Sequence, residues 1–445
     1  MKITIAGAGR VGVHLAKYFA DEQQDVFVID KHESNLAVLE SDFNLRTFVG
    51  DPMEFKTLRE AGAATSDVFV AVTAEAAENL VACAMAKSMG ARKTIARVDK
   101  YSYMQATNEE VVRKMGVDHV VFPDFLASQA VIESLEHPWC KAWTEFENGS
   151  IILAAIETRI DSPVANRQLK ELAHGSRLLH ISALRREHKT IIPRGDDVIL
   201  PGDTLYITAL PSALDTINEL MGVTRFSIKK VILMGGSMVS ELAVQFSSRK
   251  FTYTVIEKNR DRCSELVRNC PDCEIICGDA SEQDVLEEAG INRCDAFVAL
   301  TDNTESNILS CLTASETGVK KNIAEVEKEQ LMAKAESFKI GTIINKPIIT
   351  ANAIFQLILD SGVDSSKCFI LPDAEVGRLT VREGSFLTKD IVMNLKFPKE
   401  LTFAGLVRNG KGEMVTGKTH FQPGDTVIVF CMAGSLRKVE KIFGR

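Results

Sequence analysis

The stretch Lys2-Ile3-Thr4-Ile5-Ala6-Gly7-Ala8-Gly9-Arg10-Val11-Gly12 decides the fold of this chain. Its apolar first half predicts a buried strand, and its second half is a G-x-G-x-x-G turn that leads into a helix over 13–20. A second apolar run, 26–29, predicts the next strand and ends at Asp30. Strand, glycine turn, helix, strand and acid in this order are typical of a dinucleotide-binding βαβ unit.

Each residue type in this unit has a physical role. Gly7 permits the tight turn, Gly9 lets the backbone approach a pyrophosphate, and Gly12 lets helix and strand pack closely. Phosphates would lie on the free N–H groups at the helix N-terminus. Asp30, 18 residues past Gly12 (30 minus 12), would accept hydrogen bonds from ribose hydroxyls and repel a 2′-phosphate, which favours NAD over NADP. The alternative is a glycine turn that packs a helix without any ligand.

The carboxyl ends of further predicted strands add residues to the same crevice. Strands over 45–50, 68–72 and 94–98 alternate with helices, so we expect a parallel, doubly wound α/β sheet. Ligands bind such sheets beyond the carboxyl ends of the strands. Thr73 is expected to offer its hydroxyl and backbone, whereas Arg97 pairs either with phosphate or with a structural carboxylate. The residues expected around the crevice are Asp51, Thr73, Ala74 and Arg97.

Much of the chain occurs twice. Gly50-Asp51 returns as Gly278-Asp279, an offset of 228 residues (279 minus 51). The same offset relates Asp67 to Asp295, Thr73 to Thr301, Asn79 to Asn307 and Ile95-Ala96 to Ile323-Ala324. A second repeat, Pro201-Gly202-Asp203-Thr204 and Pro423-Gly424-Asp425-Thr426, has an offset of 222 (423 minus 201). A period of this length indicates duplicated domains in the order A-B-A′-B′, because solenoid repeats are much shorter.

The second copy has lost part of the nucleotide-binding equipment. Its turn reads Gly235-Gly236-Ser237-Met238-Val239-Ser240, so serines replace two of the three glycines. The acid after the second strand is kept as Glu257, the candidate ligand-binding residue of this copy. Glu325 stands where the first copy has Arg97 and would repel a phosphate. We therefore expect the fold to be retained and nucleotide binding to be weakened or lost.

Composition and charge restrict the functional classes. The 445-residue chain is 45% hydrophobic and 25% charged, which suits compact domains with real cores. A net charge of −8 argues against nucleic acid as a partner. No run approaches the roughly 18 apolar residues that a spanning helix needs. The first predicted strand follows Met1 at once, so we expect no cleavable signal and a cytoplasmic location.

Ten cysteines need an explanation. Cys263, Cys270, Cys273 and Cys277 include a C-x2-C pair, which can supply two thiolates to zinc. The repeat favours a simpler interpretation, because its offset matches Cys273 and Cys277 to apolar residues of the first copy. We therefore expect these thiols to be small core residues, with no metal site and no disulfides in a reducing compartment.

The arrangement resembles the potassium-conductance regulator family, also called the RCK or KTN family. The resemblance rests on the glycine turn with Asp30, the repeated Gly-Asp, Asp, Thr and Asn, and the Pro-Gly-Asp of the small domains. It covers essentially the whole chain and implies two Rossmann-type domains, each followed by a small α+β RCK C-terminal domain. It also implies nucleotide binding by Gly7, Ala8, Gly9, Arg10, Val11, Asp30, Asp51, Thr73, Ala74 and Arg97.

The same resemblance implies a ligand and partners. Members of the family bind NAD(H) and adenine nucleotides in the first domain, assemble into rings and gate transport. For this chain it implies NAD(H), with ATP or ADP as alternatives at the same site, a homo-oligomeric ring, and a Trk-type membrane potassium-translocating subunit as the partner. The chain would be a cytoplasmic regulatory subunit, peripheral to the inner face of the cell membrane.

The repeats also predict the domain boundaries and a pair of unusual helices. The expected domains are 1–136, 141–223, 228–362 and 367–445, of which the first and third are Rossmann-type. In both Rossmann-type copies an apolar helix follows a short sixth strand, and its apolar residues are Phe125, Ala130, Ile132 and Leu135 or Ile349, Ala353, Phe355 and Leu359. These helices either dock two lobes together, within or between chains, or pack as ordinary amphipathic helices on their own sheets. In the small domains we expect strands over 151–156, 198–207 and 427–430, with a turn at Gly202-Asp203.

Three functions remain open from the residues alone. An NAD-dependent oxidoreductase needs an acid or base against a substrate pocket, yet no nucleophile constellation or metal-ligand spacing is visible in the small domains. We therefore prefer a non-enzymatic gate whose conformation is biased by nucleotide. A structural adaptor with a vestigial nucleotide site is the third interpretation.

Overall fold

A computed structural model gives the fold of the chain. The residues that it describes are 1–40, 45–172, 178–187, 189–359, 365–371, 374–432, 435, 439 and 442–443. The predicted boundary at 362 and the chain end at 445 lie outside these residues. Along the described part of the chain, no helix is both long enough and apolar enough to cross a membrane.

The first lobe is a six-stranded parallel sheet flanked by helices. Its elements are β1 (Lys2–Ala6), α1 (Arg10–Asp21), β2 (Asp25–Asp30), α2 (Glu33–Glu40), β3 (Arg46–Val49), α3 (Phe55–Glu60), β4 (Val68–Ala71), α4 (Ala76–Met89), β5 (Lys93–Arg97), α5 (Ala106–Lys114), β6 (His119–Val121) and α6 (Pro123–Glu136). The sheet order β3-β2-β1-β4-β5-β6 reverses direction between β1 and β4, and all neighbouring strands are parallel. This confirms the predicted doubly wound fold and puts a binding crevice at the reversal.

The first small domain is a five-stranded antiparallel sheet with two short helices. Its elements are β7 (Ala142–Phe146), β8 (Ile151–Glu157), α7 (Leu169–Leu172), β9 (Leu179–Arg186), β10 (Lys189–Ile191), β11 (Thr204–Ala209) and α8 (Leu214–Met221), with sheet order β10-β9-β11-β8-β7. The strand predicted over 198–207 is wrong in its first half, because the chain turns there before β11 begins. Gly202 has φ +92°, and the Asp203 carboxylate accepts the N–H of Leu200 at 2.8 Å, so the turn satisfies the backbone locally.

The second lobe repeats the first. Its elements are β12 (Lys230–Met234), α9 (Met238–Ser247), β13 (Thr252–Glu257), α10 (Arg260–Asn269), β14 (Glu274–Cys277), α11 (Gln283–Glu288), β15 (Ala296–Ala299), α12 (Thr304–Glu316), β16 (Lys321–Glu325), α13 (Glu329–Ser337), β17 (Thr342–Ile344) and α14 (Lys346–Leu359). The order β14-β13-β12-β15-β16-β17 matches that of the first lobe strand for strand. The predicted duplication is therefore a duplication of the fold.

The second small domain has the connectivity of the first. Its strands are β18 (Ser365–Leu371), β19 (Ala374–Thr380), β20 (Leu401–Arg408), β21 (Lys411–Glu413) and β22 (Thr426–Met432), in the order β18-β19-β22-β20-β21. Read from its other edge, the first small sheet has the equivalent order β7-β8-β11-β9-β10. The two sheets pack face to face through a shared apolar core that includes Leu153, Val376 and Phe430. A hydrogen bond between His180 Nε2 and Thr402 Oγ1, 3.1 Å, crosses this interface.

The helices α6 and α14 are exchanged between the two lobes. Val131 and Leu135 of α6 are buried in the apolar core of the second lobe, and Ile354 and Phe355 of α14 are buried in that of the first lobe. The ring centroids of Phe355 and Tyr18 are 4.1 Å apart. This answers the question that the sequence left open, because the apolar helices dock the lobes within one chain. The side chain of Leu359, one of the predicted apolar residues, lies outside the described residues.

Matching lysines hold the exchanged helices at their carboxyl ends. Lys93 at the start of β5 donates a hydrogen bond to the carbonyl of Leu357 in α14. Its counterpart Lys321 at the start of β16 donates to the carbonyl of Cys140, 3.0 Å away and shortly beyond α6. Cationic donors at helix carboxyl ends are favourable because unsatisfied carbonyls point outward there. The carbonyl that Lys93 contacts lies in the last turn of α14, whereas the carbonyl that Lys321 contacts lies just beyond α6.

Candidate functional site

The glycine turn has the geometry that its sequence predicts. Gly7 has φ +106°, and a Cβ atom there would lie 2.9 Å from the backbone nitrogen of Thr73. A Cβ atom at Gly12 would lie 1.8 Å from the carbonyl oxygen of Gly7, so helix and turn approach too closely for any side chain. A Cβ atom at Gly9 would meet nothing within 4 Å. Gly9 therefore faces open space at the N-terminus of α1, where the first N–H groups of a helix have no acceptor within the helix.

Asp30 lies at the end of β2 with its carboxylate turned toward the glycine turn. One oxygen accepts the N–H of Ala8 at 2.7 Å. The other accepts the N–H of His32 at 2.8 Å and the side-chain amide of Asn35 at 3.1 Å. An ionised carboxylate has about four acceptor positions, so these three bonds orient Asp30 and leave capacity for a further donor. Ala8 contributes to the site through this backbone contact.

The repeated threonine and asparagine form a structural clamp in both lobes. Asn79 accepts hydrogen bonds from the Thr73 N–H (2.9 Å) and hydroxyl (2.8 Å), and it donates to the carbonyl of Arg97 (3.0 Å). Asn307 makes the same bonds with Thr301 and with the carbonyl of Glu325. The asparagine thereby joins the ends of two neighbouring strands. The shortest hydrogen bond of the Thr73 hydroxyl is therefore the one to Asn79.

Lys31 was not predicted from the sequence, although it follows Asp30 directly. Its ammonium lies 2.8 Å from Glu78 and 3.2 Å from Asp51, which brings the predicted Asp51 to the edge of the crevice. The hydrogen bond to Glu78 raises the pKa of Lys31, and the one to Asp51 adds to the effect. Lys31 is therefore a cation, and the carboxylates of Glu78 and Asp51 already balance its charge.

These residues enclose a cavity of about 420 Å³ at the strand reversal. Of the predicted site residues, the cavity wall includes Gly7, Gly9, Arg10, Val11, Asp30, Thr73, Ala74 and Arg97. Ala8 and Asp51 are not part of the wall, but they contact the wall residues Asp30 and Lys31. Within the described part of the chain, Arg97 has no carboxylate within ion-pairing distance. The structure thus brings the predicted residues of the first lobe together around one space.

The second lobe closes one side of this cavity. Its wall also includes Glu327, Lys346, Pro347 and Thr350, which lie more than 300 residues beyond the glycine turn. Glu327 forms an ion pair with Arg10. Lys346, at the start of α14, lies 3.1 Å from Asp124 of the first lobe and 3.3 Å from Glu325. These residues were missed from sequence because they reach the site only through the packing of the second lobe on the first.

Carboxylates set the charge state of Lys346. Burial disfavours its ammonium form, but Glu325, Asp124 and Glu327 together outweigh that effect and raise its pKa. Burial raises the pKa of Glu325, and Lys346 opposes that shift. Lys346 and these carboxylates therefore form an ion-pair network at the junction of the lobes.

The equivalent turn of the second lobe is occupied by its own side chains. Ser237 Oγ accepts the N–H of Ser240 at 3.3 Å, and Ser240 Oγ donates to the carbonyl of Gly235 at 2.6 Å. Arg262 donates to the carbonyl of Gly236 at 2.7 Å and so lies across the turn. Glu257 keeps the place of Asp30 and accepts the N–H of Gly236 at 2.7 Å. The N-terminus of α9 thus already has an acceptor where a phosphate would bind.

The cysteines of the second lobe differ in exposure. Cys263 and Cys270 are buried and Cys273 is half-buried, but Cys277 is exposed, so the prediction of a core position is wrong for Cys277. Cys277 is the last residue of β14, which is an edge strand of its sheet. Burial raises the pKa of Cys273 to about 12, which makes it a poor thiolate donor. No cluster of three or more metal-ligating side chains occurs among the described residues.

Two family models match the chain. The TrkA-N domain model matches residues 3–123 and 231–346, the two lobes, and the TrkA-C domain model matches residues 153–222 in the first small domain. The TrkA-N domain model thus matches both Rossmann-type lobes. The chain belongs to the TrkA-N domain family.

Relatives that align with the whole chain carry TrkA names, and a solved structure shares its fold. The Trk system potassium uptake protein TrkA of Azorhizobium caulinodans is 26% identical over 451 residues, covering 100% of this chain and 98% of the relative. A Trk system potassium uptake protein TrkA homolog of Archaeoglobus fulgidus is 27% identical over 448 residues, covering 100% of both. The structure of the GsuK channel bound to NAD matches with a TM-score of 0.62 at 16% identity, covering 99% of this chain and 78% of the channel chain. The last match concerns the fold alone.

Proposed function

We propose that this chain is a nucleotide-sensing regulatory subunit that gates a membrane potassium-uptake transporter of the Trk type. The observation that carries the proposal is the cavity at the first glycine turn, whose wall comes from both lobes. A ligand in that cavity would contact Arg10 and Asp30 on one side and Lys346 on the other. Its binding free energy would therefore depend on how the lobes are arranged, which is the requirement for a ligand that biases a conformational equilibrium.

The first-lobe residues suit the adenosine and diphosphate parts of NAD(H). The open face at Gly9 and the uncapped N-terminus of α1 would receive the diphosphate. Asp30 has acceptor capacity for ribose hydroxyls, and Arg97 is available for a phosphate. ATP or ADP shares the adenosine half and remains an alternative at the same residues. The filled turn of the second lobe supports a single nucleotide site per chain, with Glu257 in a structural role.

The potassium transport part of the proposal rests on the relatives. Two full-length relatives carry the name Trk system potassium uptake protein TrkA, and each aligns with the entire chain. We propose by this relationship that the partner is a membrane potassium-translocating subunit and that the chain works at the inner face of the membrane. The nucleotide would act as a signal and would not be consumed, so we propose no enzymatic activity.

A repeated surface supports assembly into a ring. Val81 and Leu309 occupy matching positions in α4 and α12 (309 minus 81 is 228), and both are exposed, by 45% and 63%. Met115 and Phe338, which follow α5 and α13, are also both exposed. Exposed large apolar side chains that recur in both lobes suit a protein–protein interface. We propose that this repeated surface joins lobes of neighbouring chains.

The proposal is tested with the chain and its membrane partner purified together and reconstituted in vesicles. Potassium flux is measured while NADH, NAD, ADP or ATP is titrated, and NADH absorbance is followed in the same samples. We expect at least one nucleotide to change the flux at constant NADH absorbance. Turnover of NADH with a reducible substrate would instead favour an oxidoreductase. A potassium flux that no nucleotide changes would favour the structural adaptor.

A further inference from the structure

The charges around the first-lobe cavity are nearly balanced before any ligand binds. The cations in its wall are Arg10, Lys31, Arg97 and Lys346, and the carboxylates are Asp30, Glu75, Glu78 and Glu327. Three of the four cations already have carboxylate partners: Arg10 pairs with Glu327, Lys31 with Glu78, and Lys346 with Glu325 and Asp124. A polyanionic ligand therefore meets carboxylates next to most of the cations that would attract it.

Glu327 differs from the other carboxylates because it comes from the second lobe and contacts the glycine turn. It follows β16, and Asn345 holds the backbone there by donating to the carbonyl of Val326 at 2.8 Å. Its side chain also lies 3.6 Å from Lys346. With the side chain of Arg10 57% exposed, this ion pair contributes little to stability. Its consequence is that Arg10, the wall cation at the start of α1, is already paired.

We infer that Glu327 is a charge-discriminating residue of the first-lobe nucleotide site, supplied by the second lobe. The inference rests on the proposed function, because it concerns the ligand of the same site. A phosphate that reaches Arg10 either displaces Glu327 or lies beside it, and the electrostatic cost rises with the negative charge of the ligand. NAD carries a net charge of about −1 near neutral pH, NADH about −2, ADP about −3 and ATP about −4, since a terminal phosphate has a second pKa of about 6. Glu327 would therefore oppose ATP most and NAD least.

The inference is tested by binding, with the full chain and without divalent cations, which would neutralise the phosphates. Dissociation constants for NAD, NADH, ADP and ATP are measured by calorimetry for the wild type and for Glu327→Gln. We expect the substitution to lower the dissociation constant of NAD by no more than about 2-fold and that of ATP by about 10-fold. The effects on NADH and ADP should lie between these values. The gain should shrink in high salt because screening weakens the repulsion.

A matched control separates Glu327 from a general change of charge. Glu305→Gln removes a carboxylate of the same lobe, which pairs with Lys328 at 2.8 Å and lies outside the cavity wall. We expect this variant to bind every nucleotide as the wild type does. In an Arg10→Gln background, Glu327→Gln should gain less than in the wild type, because the shared cation is gone.

The outcomes distinguish this inference from the proposed function. If the wild type binds none of the four nucleotides, the proposed function itself fails. If the wild type binds nucleotides, two results refute the charge-discriminating role of Glu327 and leave the nucleotide site intact. One is that Glu327→Gln has the same dissociation constants as Glu305→Gln, and the other is that it lowers all four dissociation constants equally. A thermal melt of each variant verifies that the lobes remain folded.

Discussion

Tyr18 of α1 donates a hydrogen bond to Glu375 of β19, with the two oxygens 3.3 Å apart. This bond joins the helix that begins at the glycine turn to the second small domain. Glu375 is only 1% exposed, and burial together with this carboxylate raises the pKa of Tyr18. The helix α1 is therefore held at both ends by the second half of the chain, through Arg10 at its start and Tyr18 in its last turn.

We predict that Tyr18→Phe destabilises the chain by about 1–3 kcal/mol, because it removes a donor from a buried carboxylate. The measurement is urea unfolding followed by circular dichroism. Tyr101→Phe is the control, since the Tyr101 ring packs on Phe125 and Phe246 and the substitution keeps that ring. Equal stability of the two variants would show that the Tyr18 hydroxyl contributes nothing.

A second prediction concerns the Pro-Gly-Asp repeat of the small domains. Asp203 is 1% exposed and binds Arg186 through two bonds of 2.8 and 2.7 Å, and Asp425 binds Arg408 through two bonds of 2.7 Å. Each aspartate also accepts a backbone N–H in its own turn. We expect Asp203→Ala to cost about 2–4 kcal/mol, because it leaves the arginine and the turn without their acceptor.

The control for this prediction is Asp161→Ala, which removes the exposed partner of Arg159. It should leave stability close to that of the wild type, because solvent screens an exposed ion pair. Thermal unfolding of both variants provides the comparison. A small effect of Asp203→Ala would mean that the repeat is retained for a reason other than the stability of the turn.

A third prediction concerns pH and the interface between the small domains. Burial lowers the pKa of His180 to about 4 from an unfolded value of 6.5, so the folded chain binds fewer protons than the unfolded chain between these values. Stability from this group is complete above about pH 6.5 and is lost as the pH falls toward 4. Because part of the residue remains accessible to solvent, we expect a loss of about 1–2 kcal/mol.

The variant His180→Gln keeps an amide within reach of Thr402 and has no titrating group in this range. Its unfolding free energy should depend less on pH between 6.5 and 4 than that of the wild type. The measurement is urea unfolding at several pH values in one buffer system. Identical pH profiles for the two proteins would show that His180 does not titrate on unfolding in this range.

The lobes were largely predictable from sequence because their signals are local. The turn from Gly7 to Gly12 carries its own backbone requirements, and the offset of 228 residues transfers them to the second lobe. The repeated Asn79 and Asn307 were visible as a pattern, but their role as clamps needed the structure, since each bonds to the end of a neighbouring strand. Local sequence predicts strands, whereas tertiary packing decides what their ends contact.

The other half of the site was not predictable for the same reason. Lys346 begins α14, which packs on α1 of the other lobe, and Glu327 follows β16 of the second lobe. Both residues reach the cavity through contacts between the lobes, and the apolar pattern of a helix does not indicate which surface the helix will cover. The misplaced strand over 198–207 has a local cause, because its apolar residues surround a turn that Asp203 stabilises. The domain boundaries and the ligand-binding roles of the site residues remain predictions.

One adenine dinucleotide should bind in the first lobe of each chain. The decisive measurement is calorimetry of NADH binding to the wild type, to Asp30→Ala and to the matched second-lobe variant Glu257→Ala. We expect one site per chain in the wild type, a loss of binding of at least about 10-fold in Asp30→Ala, and unchanged binding in Glu257→Ala. Undiminished binding in Asp30→Ala, or loss of the site in Glu257→Ala, would contradict this expectation.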